Sequence, residues 1–124
     1  CARAWSRWEG ATAAFRPHAR RRAGFENDEH ARAFARIENH YFQNGGFLDQ
    51  DDQILRNMDR LAETPGVIVQ GRYDMVCPPT SAHELHKAWP GSRLRMIEDA
   101  GHALSEPGIS AALVEETDAL AAEG

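Results

Sequence analysis

Apolar residues along this chain recur at two different periods, and the change falls near Pro65. From Ala2 to Ala14 the spacing is helical, with Trp5 and Trp8 at i, i+3 on one face. Between Asn27 and Gln43, the positions of Ala31, Phe34, Ala35, Ile37 and Phe42 predict a second helix. Asn27 or Asp28 suits its cap, and Asn44-Gly45-Gly46 stops it. The acids from Asp49 to Asp52 suit the positive end of a third helix, which carries Ile54, Leu55, Met58 and Leu61 and breaks at Pro65. Phe15 to Gly24 reads as a connecting loop.

Beyond Pro65 the texture becomes strand, helix, strand, helix. Val67-Ile68-Val69 reads as a buried strand, and Leu94-Arg95-Met96-Ile97 as a second. Between them Thr80 is expected to cap a helix carrying Leu85, Ala88 and Trp89, closed by Pro90-Gly91. Pro107-Gly108 introduces a last helix whose Leu113 and Leu120 are expected to face the sheet. Strands alternating with helices argue a parallel sheet and an α/β class. Residues 1–64 therefore read as part of a helical cap, and 65–124 as part of an α/β core. Parallel strands are normally covered on both faces, so two alone are expected to leave apolar surface exposed. No internal repeat or low-complexity segment interrupts the pattern.

The candidate chemistry lies where the two strands end. Gly71-Arg72-Tyr73-Asp74 follows the first strand, and Gly101-His102 closes the loop after the second. In an open α/β sheet such loops converge on the ligand crevice. An acid and then a histidine in that order resemble the last two members of the Ser…Asp…His series of α/β hydrolases. Histidine suits a general base because its unperturbed pKa lies near neutrality, and a carboxylate on its other ring nitrogen fixes the tautomer. No Gly-x-Ser-x-Gly occurs in the chain, which opens at Cys1 already in helical pattern. Both facts create the expectation of a truncated enzyme, its nucleophile lying upstream and the chain alone inactive.

Composition narrows the partners. The 124 residues carry 42% hydrophobic and 27% charged side chains, ordinary for a globular protein. A net charge of −5 gives nucleic acid no general footing. The one basic cluster, Arg16 to Arg22, reads as a solvated loop. No apolar stretch is long enough to span a bilayer, so no membrane partner is expected. Cys1 and Cys77 make no disulfide framework, which suits a reducing, cytoplasmic setting. Oligomeric state is not legible.

Neither a metal nor a cofactor is expected. His83 and His86 are spaced i, i+3 rather than the i, i+4 of H-E-x-x-H, and read as a solvated helix face. Cys77, followed by Pro78-Pro79, reads as a loop residue rather than a nucleophile, and Trp89 as packing.

More specific wording completes the reading. Phe34-Ala-Arg-Ile-Glu38-Asn-His-Tyr-Phe42, Gly45-Gly46-Phe47 and Asp52-Gln53-Ile-Leu-Arg56-Asn57 closely resemble bacterial proline iminopeptidases. So do Val67-Ile-Val-Gln-Gly71-Arg-Tyr-Asp74, His86-Lys-Ala-Trp-Pro90 and Ala100-Gly-His102. The resemblance covers nearly the whole chain and is weakest from Phe15 to Glu29. It implies the C-terminal part of an α/β-hydrolase fold and a serine exopeptidase that releases N-terminal proline from peptides. It further implies that Asp74 is the triad acid, His102 the general base, and Glu9 and Glu38 the cap carboxylates that hold the substrate's free amine. Trp5, Trp8, Tyr41 and Phe42, beside those glutamates, are candidates to line a pocket for the proline ring. The alternatives are another capped α/β hydrolase, such as an epoxide hydrolase or esterase, and a non-enzymatic helical binding module.

Overall fold

The structure, a computed structural model, describes residues 1–16 and 27–122. Most of the arginine-rich segment therefore lies outside the described residues. Helix α1 spans Ala2–Thr12 and α2 Asp28–Gln43. Asn27 caps α2, its side chain accepting from the His30 N–H at 3.0 Å, and Asp28 and Glu29 fill the first turn. The positions buried on the two helices are small: Ser6 and Gly10 beside Glu9 on α1, with Ala13 just past its end, and Ala31 on α2. Arg3 forks onto both carboxylate oxygens of Asp28, tying the two helices at their exposed edge. Helix α2 stops where Gly45 and Gly46 take φ of +56° and +64°, a left-handed path that glycine follows without strain.

The predicted third helix is broken in two. Helix α3 covers only Gln53–Arg56, and a 3₁₀ turn follows over Met58–Leu61. Asn57 interrupts them: its side-chain amide donates to the Gln53 carbonyl at 2.6 Å, and its own N–H to Ile54 at 3.2 Å. Asparagine competes for helix carbonyls in this way, which disfavours it in helix interiors.

Strand β1, Gly66–Gly71, pairs in parallel with β2, Ser92–Ile97, in the register Gly66 to Ser92 and Gly71 to Ile97. Helix α4, Pro79–Ala88, connects them. Its start departs from expectation: Pro79 occupies the first turn, Pro78 is the cap, and Thr80 lies inside the helix. Proline suits that first position because its missing N–H has no helical partner there. Trp89 ends α4 in an extended conformation (φ −115°, ψ 90°), as the residue before Pro90 must.

Trp89 then ties the helical segment to the sheet. Its indole N–H is shared between the Leu61 and Thr64 carbonyls at 3.0 and 2.9 Å, and its ring covers Gly66 so closely that a Cβ there would lie 2.2 Å away. The packing role read for Trp89 is what the structure has.

Helix α5, Pro107–Ala122, packs on both strands through Ile109, Ala112 and Glu116. Leu113 is half-buried, but Leu120 is exposed rather than facing the sheet. The reason is length. Gly108 abuts Ile97 at one end of β2, and Glu116 meets Arg93 near the other. Those helix residues are separated by about 12 Å, and those strand residues by about 13 Å. Leu120, another turn on, has run past the strand. Arg93 and Arg95 share one strand face and both reach Glu116, at 2.6 and 3.2 Å. Burial works against ionisation of Glu116, but the hydrogen bonds from Arg95 and Arg93 prevail and hold its carboxyl below the ordinary range.

Every residue of β1 and β2 apart from Gly71, Ser92 and Arg93 is half-buried, and Met75, Leu104, Ile37 and Phe42 stand exposed. The expected apolar exposure is present. Among the described residues, no helix is long and apolar enough to cross a membrane.

Candidate active site

Asp74 owes its position to the way β1 ends. Arg72 N–H donates to Ile97 (2.9 Å), Tyr73 N–H to Ala100 (2.9 Å), and Asp74 N–H back to Gly71 (3.3 Å), so the chain turns at the strand's carboxyl end. The Asp74 carboxylate, only 7% exposed, is then met by four donors. Oδ1 accepts the Val76 and Cys77 N–H groups at 2.9 and 2.8 Å, the local bonding typical of aspartate in turns. Oδ2 accepts the Gln70 side-chain amide at 3.2 Å and His102 Nδ1 at 3.0 Å. A carboxylate offers about four lone-pair sites, and this one has filled them.

His102 reaches Asp74 from the loop after β2, its side chain 40% exposed. A carboxylate on Nδ1 selects the tautomer with the proton there, leaving the Nε2 lone pair to take a proton from a reacting hydroxyl. Glu106 accepts the Gly101 N–H at 2.7 Å immediately before the histidine.

Glu9 lies on the buried face of α1, 8% exposed. Burial raises its pKa, and the charge of Glu38 raises it further, with His102 acting in the opposite sense. These three groups are thus within electrostatic reach of one another. Glu38 projects from α2 and accepts the Trp5 indole N–H at 2.5 Å. Trp5 contacts Trp8 (ring centroids 5.2 Å apart) and Phe42 (6.4 Å). These three rings line a groove of about 1230 Å³ between α1 and α2, whose wall also holds Arg32, Arg36 and His40. Neither glutamate lines it, and Tyr41 packs elsewhere, edge-on to Phe47 at 5.4 Å.

Cys77 sits in the Asp74 loop, and desolvation together with the charges of Asp74 and Glu9 pushes its thiol pKa up. A protonated thiol is a poor nucleophile. Both cysteines are free. His83 is exposed, whereas His86 is half-buried and joined through Nδ1 to Ser92 Oγ at 2.8 Å, so only one of the pair sits on a solvated face. Among the described residues, no three His, Cys, Asp or Glu side chains are grouped to hold a metal ion.

Sequence reasoning missed Gln70 and Glu106. Gln70 had one visible signal, a polar residue closing an apolar strand. Glu106 had only its place before Pro107, where a helix cap rather than a loop clamp is the natural reading.

A parallel strand–helix–strand–helix unit that delivers a carboxylate and a histidine from successive strand ends, preceded by a helical cap-like region, is part of an α/β-hydrolase core. Within that class the chain belongs to the family described as TAP-like protein, whose model matches residues 48–124. It is also similar to three curated proteins over almost its whole length. It is 54% identical to the probable proline iminopeptidase of Leptolyngbya boryana, over 98% of this chain and 38% of that one. It is 52% identical to the proline iminopeptidase of Arabidopsis thaliana, over 91% of this chain and 30% of the other. With the Xanthomonas citri proline iminopeptidase it shares 52% identity, over 97% and 38%. The chain thus spans between 30% and 38% of the length of these relatives.

Proposed function

We propose that this chain supplies the acid and the base of a serine exopeptidase that releases N-terminal proline from peptides. The observation that carries the reading is the 3.0 Å contact between His102 Nδ1 and the buried, fully bonded Asp74 carboxylate. In this reading Asp74 orients His102 and stabilises its imidazolium, and His102 Nε2 activates a serine hydroxyl. That serine belongs to no Gly-x-Ser-x-Gly in these 124 residues, so the chain alone is inactive and the whole enzyme brings the nucleophile. Glu9 and Glu38 hold the substrate ammonium. The raised pKa of Glu9 beside Glu38 supports this role, since two close carboxylates with little water favour a cation between them. The similarity to proline iminopeptidases supports proline as the released residue. Residues 1–64 act as cap and 65–124 as core in this assignment, and the free cysteines favour the cytoplasm.

Glu38→Gln in the whole enzyme tests it, because the change keeps shape and removes charge. On prolyl 4-nitroanilide, kcat/KM is expected to fall by about 100-fold, in line with the 2–5 kcal/mol lost when one partner of a buried charge pair is removed. On N-acetylprolyl 4-nitrophenyl ester, which carries no ammonium, the loss is expected to be small. Equal losses on both substrates would make Glu38 structural and remove the aminopeptidase reading.

A further inference from the structure

We infer that Glu106 is a positioning residue that clamps helix α1, the bearer of Glu9, to the loop bearing His102, and so sets the span between substrate ammonium and scissile bond. The inference rests on the exopeptidase reading above.

Glu106 is 7% exposed, and one oxygen of its carboxylate accepts two backbone N–H groups. Gly101, next to His102, donates at 2.7 Å, and Phe15, just past the end of α1, at 3.3 Å. A third bond closes the junction on the far side of the histidine, from Ala103 N–H to the Ala13 carbonyl at 2.7 Å. Gly101 permits this approach through its missing side chain: a Cβ there would stand 2.8 Å from the Phe15 nitrogen and 3.2 Å from the Ala14 carbonyl carbon. The Phe15 ring also stacks on Tyr73, centroids 4.2 Å apart, in the loop that delivers Asp74. The tail of α1 is therefore bound to both loops of the Asp74–His102 pair. Glu9 lies one helical turn back from Ala13, whose N–H bonds the Glu9 carbonyl at 2.9 Å.

An enzyme that removes one residue must hold the ammonium site and the base a fixed distance apart, because small misplacements of a reacting centre are costly. Glu106 bonds to both of the segments that carry them. Buried N–H groups deprived of their acceptor lose the interaction and carry its desolvation cost, so its removal loosens both segments together.

The test uses the whole enzyme as Glu106→Leu, Glu106→Gln and Glu106→Asp, with Glu116→Leu as control. Glu116 is an equally buried carboxylate that binds Arg93 and Arg95 away from the site. The readouts are kcat and KM on prolyl 4-nitroanilide and on N-acetylprolyl 4-nitrophenyl ester, and amide hydrogen exchange at Gly101 and Phe15. Glu106→Leu is expected to lose tenfold or more in kcat/KM on the free prolyl amide, at least threefold more than on the acylated ester, with exchange protection lost at both amides. Glu106→Gln keeps an acceptor oxygen at the same reach and is expected to recover most of the ratio. Glu106→Asp is too short to meet both donors and is expected to fall between, which keeps the test alive if Glu106→Leu does not fold. Glu116→Leu is expected to lower Tm and leave the substrate ratio alone. A Glu106 series whose ratio matches that of Glu116→Leu, or that leaves Gly101 and Phe15 protected, overturns the proposal. Wild-type enzyme inert to prolyl amides would remove the exopeptidase reading, and exchange at the two amides would still decide whether the clamp exists.

Discussion

Gly71 and Gly101 meet backbone to backbone: a Cβ placed on Gly71 would lie 2.0 Å from the Gly101 carbonyl oxygen and 2.7 Å from that of Ala100. The strand-end loop bearing Asp74 and the loop bearing His102 touch here with no side chain between them. That closeness lets a short aspartate reach an imidazole at 3.0 Å. Space, not an unusual dihedral, is what glycine supplies.

Replacing Gly71 with alanine is therefore expected to wedge the two loops apart. Both atoms that the new methyl meets are main-chain oxygens, which cannot turn aside as a flexible side chain would. Overpacking of this kind costs about 1–3 kcal/mol. A thermal melt is expected to show a lowered Tm, and kinetics a loss of kcat/KM larger than the stability change alone explains. A variant with wild-type Tm and turnover would contradict the close approach.

Asp74 and His102 are expected to act as a unit. In the whole enzyme, Asp74→Asn favours the wrong imidazole tautomer and is expected to lower kcat by about 10⁴-fold. His102→Ala is expected to lose at least as much. The double variant should be little worse than His102→Ala, because neither residue retains its function without the other. Single-turnover acylation rates for the three variants measure this directly. Losses that multiply would show the two residues working independently.

Glu9 makes stability depend on pH. Its pKa is raised in the fold, by burial first and then by Glu38. The folded state therefore binds this proton more tightly than the unfolded chain does. The resulting stability is full below the ordinary glutamate range and is lost as pH rises through the raised value. Above the raised value the ionised side chain opposes folding, and Glu9→Gln is expected to raise Tm at the alkaline end of the range. The advantage should shrink as the pH is lowered toward 4, while activity on free prolyl substrates falls. Melting curves of both proteins from pH 4 to 8 test the sign. A Tm difference independent of pH would remove the electrostatic account. A stabilising change that damages activity is the usual signature of a group held for function.

Much of the fold was legible because its signals are local. The Asn27 cap, the glycines after Asn44, and the apolar runs around Ile68 and Leu94 each act within a few residues. Where the structure departs from the local pattern, a competing interaction prevails. Asn57 took carbonyls that a continuous helix needs, and Pro79 occupied the start that Thr80 was expected to cap. Leu120 fitted the helical period but lay beyond the strand it was meant to cover, and the length of β2 relative to α5 is not a property of either segment alone.

The sequence by itself determined the order of elements, the parallel class of the sheet, and the delivery of an acid and a histidine to successive strand ends. Those follow from periodicity and turn chemistry, which act between neighbours. Tertiary structure alone decided that Glu9 senses both Glu38 and His102, and that Glu106 joins Phe15 to Gly101. Each of these depends on backbone segments distant in the chain approaching within hydrogen-bond or Coulomb range. Such approaches depend on where glycines leave room and where helices end against strands, and no local pattern of residues encodes them.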